Sequence, residues 1–164
     1  MKRLSYQAIV VGYVDYADED RIVRLLTKEG GLISAIAKKA RSSHRKFGGS
    51  IDIGNKVKAT VQKPKNGELW KLYEAQVSEG RFNTRKDIRK IALMMYACEV
   101  ISALSAPEKT EDKLFGLLQA SLQLLEEHET PTSAFHIGFV AKALAFGGLQ
   151  PNLTHCVVCG TELR

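Results

Sequence analysis

Between Ala37 and Ser50 the chain sets five cationic side chains, Lys38, Lys39, Arg41, Arg45 and Lys46, into nine positions with no carboxylate among them. Unpaired ammonium and guanidinium groups cost too much to bury, so this stretch does not belong to a core. Cations at this density neutralise a polyanion, and small residues with a closing Gly48-Gly49 keep the backbone free to turn towards one. Neighbouring segments add charge: Arg21 and Arg24 before the stretch, Lys56 and Lys58 after it, then Lys63 and Lys65. Clustering by separate segments points to contact with phosphates. Aromatic residues Tyr13, Tyr16, Phe47, Trp70 and Tyr73 interleave with these cations, and exposed rings there would stack on bases. Phe47, between Lys46 and Gly48, is the first candidate ring and Trp70 the second. Further on, Arg85 and Arg89 stand where a helix begins. Cations at that end oppose the helix dipole, so they read as an extension of the anion-binding track.

Other residues that carry chemistry offer less. Cys156-Val157-Val158-Cys159-Gly160 has the spacing of half a zinc knuckle, but a structural site needs four ligands and Cys156 and Cys159 are two. Zinc is expected only if a second cysteine pair follows Arg164. His44, His128 and His136 have no visible nucleophile beside them, and the acidic run Asp15 to Asp20 lacks EF-hand spacing. There is no phosphate-binding glycine loop. A non-catalytic protein without a certain cofactor is the expectation.

The elements that must present these residues fall into two halves. Residues 1–80 hold 15 Lys and Arg against 9 Asp and Glu, whereas residues 81–164 hold 9 against 9, so the net charge of +6 sits in the first half. That half alternates like strands: Leu4 to Val10, Arg21 to Thr27, Leu32 to Ala37, a fourth strand carrying Val57, Ala59 and Val61, and Leu69 to Val77. Glu29-Gly30-Gly31 and Asn66-Gly67 read as hairpin turns, and Asp15 to Asp20 as an acidic turn. Five short strands suggest a closed OB-fold barrel. From residue 83 the period becomes helical. Ile88, Ile91, Ala92, Met95, Cys98 and Ser102 form the expected inner face of a first helix, ending near Ala106-Pro107. A second helix spans Thr110 to Glu127, and a third opens at Thr130-Pro131 and closes at Gly147-Gly148, before Pro151. The expected fold is α+β, with an OB-fold domain over 1–80, a helical bundle over 81–154 and a partial C-x-x-C segment over 155–164. The N-terminus has no secretory pattern and no apolar run reaches 18 residues, so a cytoplasmic protein without membrane contact is expected.

In this order the chain resembles the RecO family of bacterial recombination mediators. The likeness is carried by Tyr16 to Leu26, by Lys28-Glu29-Gly30-Gly31-Leu32 running through Lys38-Lys39-Ala40-Arg41 to Phe47-Gly48-Gly49, by Tyr96-Ala97-Cys98-Glu99-Val100, and by Phe139 to Gly160 with Gly148-Leu149-Gln150-Pro151-Asn152-Leu153 ahead of the cysteines. The resemblance implies a nucleoid-associated protein that binds single- and double-stranded DNA and anneals complementary strands. It further implies that the protein works with RecR to load RecA onto strands coated by single-strand binding protein, whose acidic C-terminal tail would meet the helical domain; Lys142, beside the apolar helix surface, is the candidate cation for a tail carboxylate. A four-cysteine zinc module belongs to many members, and here the chain stops before a second pair.

Three readings stay in contention. The first is a DNA-binding and annealing protein in which charge neutralisation lets two strands approach. Five loop cations meeting five phosphates of a single strand would give a log–log salt slope of about −3.5. The second is a protein adaptor with little DNA affinity, and the third an OB-fold that binds RNA.

Overall fold

The computed structural model describes residues 2–42, 47–128, 133–150, 152 and 154–162. Five strands, β1 (Leu4–Tyr16), β2 (Asp20–Thr27), β3 (Gly31–Ala37), β4 (Lys56–Gln62) and β5 (Trp70–Glu79), close into a barrel in the order β1-β2-β3-β5-β4. All neighbouring pairs are antiparallel except β3 and β5, which run parallel over Ala35–Ala37 and Trp70–Leu72. This is the expected five-stranded OB-like barrel. It is followed by a short 3₁₀ turn (Thr84–Lys86) and helices α1 (Ile88–Leu104), α2 (Asp112–Glu127) and α3 (Ser133–Phe146).

Alternation along the strands builds two cores. Inward residues Ala8, Val10, Val23, Leu25, Ile33, Ala35, Val57, Ala59, Val61 and Leu72 fill the barrel. A five-stranded barrel is narrow, which is why alanine and valine dominate its interior. The outward Ile9, Val11, Leu26 and Leu32 instead join Met94, Cys98, Ile101, Leu118, Leu122 and Phe139 in a second core between barrel and helices. β1 serves both because of a bulge between Val10 and Gly12, which turns Val11 and Gly12 outward before alternation resumes with Tyr13 opposite Val23.

α1 sits one step out of the expected phase, whereas α2 buries Leu114, Leu118, Leu122 and Leu125. Ile88 is 77% exposed and Met95 50%, while Lys90, Met94, Ala97, Cys98, Ile101 and Ser102 are buried. α1 is apolar on more than one face, so its period alone does not choose the seat. The choice is made by Arg81, buried at the junction, whose Nε donates to the Gly54 carbonyl at 3.1 Å beside Met94. The expected cap at Thr130-Pro131 lies outside the described residues, as does Pro151. Gly148, at φ 81°, ends α3 with Leu149 N–H bonded to the Leu144 carbonyl.

Candidate nucleic-acid interface

The hairpin end of β1 and β2 brings the first group of predicted residues together. Arg21 Nε donates to Asp15 Oδ1 at 2.8 Å while its guanidinium lies 3.8 Å over the Tyr13 ring. The loop after β3 folds back on the acidic turn. Lys39, in the left-handed region at φ 57°, donates its N–H to Asp20 Oδ1 at 2.8 Å, and Arg41 N–H reaches the Glu19 carbonyl at 3.0 Å. The Arg41 side chain donates to the Asp18 carbonyl and faces Asp15 at 3.7 Å. The acidic run therefore anchors the basic loop, and it neutralises Arg21 and Arg41 in doing so. Lys38, Lys39 and Arg24 keep exposed side chains with no ion pair among the described residues. Arg24 lies across β1 at Gly12, where a Cβ would stand 3.1 Å from its terminal nitrogen. Arg45 and Lys46 lie outside the described residues, as does His44.

Two expected stacking rings are corrected. Phe47 is 2% exposed and belongs to the barrel core with Ile51, so it presents no face to a base. Trp70 is 4% exposed, in the same core. The most exposed of the expected rings is Tyr16, at 52%, at the end of β1 beside Asp20 of β2, while Tyr13 is 38% exposed under the Arg21 guanidinium.

The continuous track through β4 to α1 is corrected as well. Lys56 pairs with Glu79 at 2.7 Å. Burial pushes the Glu79 carboxyl up, but the Lys56 ammonium and then Arg81 bring it below its ordinary value. Arg85 donates to the Ile53 carbonyl at 3.2 Å and to Asn55 Oδ1 at 3.0 Å, and Arg89 pairs with Asp87 at 3.2 Å. Lys58 is exposed and unpaired among the described residues, but it stands opposite Gln7 of β1, five residues from the Gly12 opposite Arg24. Five residues of strand are about 17 Å. Lys58 therefore lies apart from the hairpin group, and Lys56, Arg85 and Arg89 already have partners within the protein.

What sequence reasoning missed is a groove of about 710 Å³ over the outer face of β2 and β3. Its floor includes Ile22, Leu32 and Ser34, and one wall is the β4–β5 loop with Lys63, Gly67, Glu68 and Leu69. The other contribution comes from forty residues away: the α1–α2 connection, where Pro107 bridges Leu32 and Glu108 enters the groove. Arg24 stands opposite Ser34 and Ile22 opposite Ile36, so this face continues to the hairpin cations, with Lys71 opposite Ile36 on the β5 side. Alternation in β2 and β3 carried the outward positions; the groove itself needed the barrel closed. The face of strands 2 and 3 with the flanking loops is where OB-folds hold oligonucleotides.

Cys156 and Cys159 sit on a tight turn, with Gly160 N–H bonded to the Cys156 carbonyl at 2.9 Å and Cys156 N–H to that of Thr161 at 2.8 Å. The Thr161 hydroxyl and backbone, then Cys156, bring the Cys159 thiol down to about 7. Among the described residues no group of three or more His, Cys, Asp or Glu gathers to hold a metal, so the two thiols supply half a tetrahedral zinc set and no more. Among the same residues no helix is long and apolar enough to cross a membrane.

Residues 1–81 match the family model described as Recombination protein O N terminal, and residues 85–164 the one described as Recombination protein O C terminal. The DNA repair protein RecO of Myxococcus xanthus (strain DK1622) is 34% identical over 161 residues, 98% of this chain and 65% of its own length. That of Anaeromyxobacter sp. (strain K) is 36% identical over 163 residues, 99% of this chain and 64% of its own. A third, from Pelobacter propionicus (strain DSM 2379 / NBRC 103807 / OttBd1), is 37% identical over 155 residues, 94% and 62% respectively. The chain thus spans a little under two thirds of the length of these relatives.

Proposed function

The chain belongs to the RecO family, whose two models together span nearly all of it, and from that premise we propose that it is a non-catalytic DNA-binding and strand-annealing protein of recombinational repair. The observation that carries this reading is the outer face of β1, β2 and β3, where Arg24, Lys38 and Lys39 stand unpaired among the described residues beside the exposed Tyr16 ring. Cations there meet the phosphates of a strand, and the ring and the groove floor receive bases. Two complementary strands held against one cationic surface repel each other less, so pairing accelerates without any bond being made or broken. The acidic turn limits the surplus charge and holds Lys39 and Arg41 in place through Asp20 and Glu19. DNA in both single- and double-stranded form is the substrate under this reading. RecR and the acidic tail of single-strand binding protein are protein partners, and RecA is reached through them.

A titration of single-stranded oligonucleotide binding against salt tests it. Three phosphate contacts predict a log–log slope of about −2. A slope near zero would remove charge neutralisation from the account. Equal-sequence RNA run alongside separates a DNA-directed site from one that depends on the 2′-hydroxyl.

A second reading, the protein adaptor, has its own observation. Ile88 and Met95 on α1 and Ile137 on α3 are exposed apolar side chains, and Tyr96 of α1 meets His136 of α3 at 4.9 Å between ring centres. A tail that docks there would do so with the DNA face untouched, and the two activities would separate by mutation.

A further inference from the structure

We propose that Lys63 and the Trp70 indole form an anion subsite at the mouth of the β2–β3 groove, filled in this structure by the chain's own Glu108 and taken over by a backbone phosphate when a strand binds. The inference rests on the DNA-binding reading of this face and names the residue that regulates it.

Glu108 reaches the groove from the α1–α2 connection, in a left-handed backbone conformation (φ 53°) that non-glycine residues seldom adopt. Its N–H donates to the Leu32 carbonyl at 3.0 Å, and the Leu32–Pro107 bridge fixes the connection along the start of β3, ahead of the pairing with β5 that begins at Ala35. Its carboxylate takes two donors, one per oxygen: Trp70 Nε1 at 2.9 Å on Oε1 and the Lys63 ammonium on Oε2. Trp70 is nearly buried, and its N–H can only donate. The same two donors fit the two non-bridging oxygens of a phosphodiester, which share its single negative charge, as the two oxygens of a carboxylate do. Lys63 and then Trp70 hold the Glu108 carboxyl below its ordinary value, so it is anionic when a strand arrives.

Two features make the carboxylate displaceable. The Lys63 and Glu108 side chains are 57% and 38% exposed, and an ion pair so open to water is weak and screened by salt. The groove beside it is open and of nucleotide size, floored by Ile22 and Ser34. While Glu108 is seated, with Glu68 across the groove, its charge repels an incoming phosphate. Once the phosphate is seated, the connection between α1 and α2 is released from the barrel loop. An anionic strand is favoured over an acidic peptide because the subsite opens on the β2–β3 face with which OB-folds hold oligonucleotides, and Arg24 and Lys71 stand on that outer face opposite Ser34 and Ile36 of β3.

Trp70 is the single tryptophan of the chain, so its emission reports the occupant of its N–H. The experiment titrates an oligo-dT strand into the wild-type protein, following Trp70 emission together with the anisotropy of labelled strand. It repeats this with Glu108→Gln, Lys63→Gln and the double variant, each checked for fold by circular dichroism. Glutamine at 108 still accepts the indole N–H but no longer pairs with Lys63. The expected results are an emission change that saturates with binding, about threefold to tenfold tighter binding by Glu108→Gln, and loss of that gain when Lys63→Gln is added. Salt-sensitive binding with unmoved emission, or no gain in Glu108→Gln, overturns the subsite and leaves the DNA-binding reading standing. Failure of every variant to bind ends both. Emission that moves with an acidic peptide and not with the strand assigns the subsite to a protein partner and overturns the proposal.

Discussion

Phe47 and Tyr16 exchange roles between sequence and structure, and the exchange is measurable. Phe47 lies in the most cationic stretch of the chain, so its surroundings argue for a solvent-facing ring. The structure buries it with Ile51, four positions on, against the barrel interior. That i, i+4 apolar pair was the one signal of burial in the sequence, and the charge around it concealed it. Phe47→Ala should cost about 3–5 kcal/mol of stability, as removal of a core ring does, read as a lowered urea midpoint. Tyr16→Ala should leave the midpoint unchanged and weaken single-strand binding by about 1–3 kcal/mol, as loss of a stacking ring does. Glu126 shows a different residue-scale device. Its carboxylate accepts the N–H groups of Asn83 and Thr84 at 2.8 and 2.9 Å, tying the end of α2 to the 3₁₀ turn. Burial raises its proton affinity, yet these backbone bonds, with the Thr84 hydroxyl and Arg81, bring the pKa below the ordinary carboxylate value. A depressed folded-state pKa stabilises the protein above the ordinary value of 4.5 and loses that contribution as pH falls through the folded pKa. Glu126→Gln should therefore flatten the acid side of a stability–pH curve while lowering the plateau at neutral pH.

Strands were more legible than helices because period two is unforgiving: Val57, Ala59 and Val61 can face only one way. What the alternation could not convey is the length of β1. The bulge between Val10 and Gly12 breaks the pattern, so the strand reads as ending where it continues to Tyr16 and carries the hairpin. α1 was located but turned, since Ile88, Met95, Met94 and Ile101 populate two faces and the decision lies with contacts to Arg81 and Gly54. The groove depends on an approach between distant elements that no local pattern encodes. Gly31 is its tightest point: it sits at φ 68°, and a Cβ there would stand 2.1 Å from the Lys109 carbonyl oxygen. Gly31→Ala should destabilise by about 1–3 kcal/mol from backbone strain alone, with the displaced α1–α2 connection adding to it, measured by chemical denaturation.

Barrel and helices are joined as one packed body, since Ile9, Val11 and Leu26 leave the sheet to complete the helical core and Arg81 bridges the junction. Trp70 emission, a barrel probe, and helical circular dichroism should consequently trace the same unfolding curve, as a two-state transition requires; two separated transitions would show that the modules fold independently. On this body Arg24, Lys38 and Lys39 stand without an ion pair among the described residues at the hairpin end and the β2–β3 face, whereas Lys56 and Arg89 are ion-paired and Arg85 is hydrogen-bonded at the junction. The most direct test of that placement is the salt dependence of single-strand binding by Arg24→Ala/Lys38→Ala/Lys39→Ala, with wild-type circular dichroism as the control. Losing three phosphate contacts predicts weaker binding and a log–log slope shallower by about 2. A variant that binds with wild-type affinity and slope would place the strand elsewhere and contradict the account.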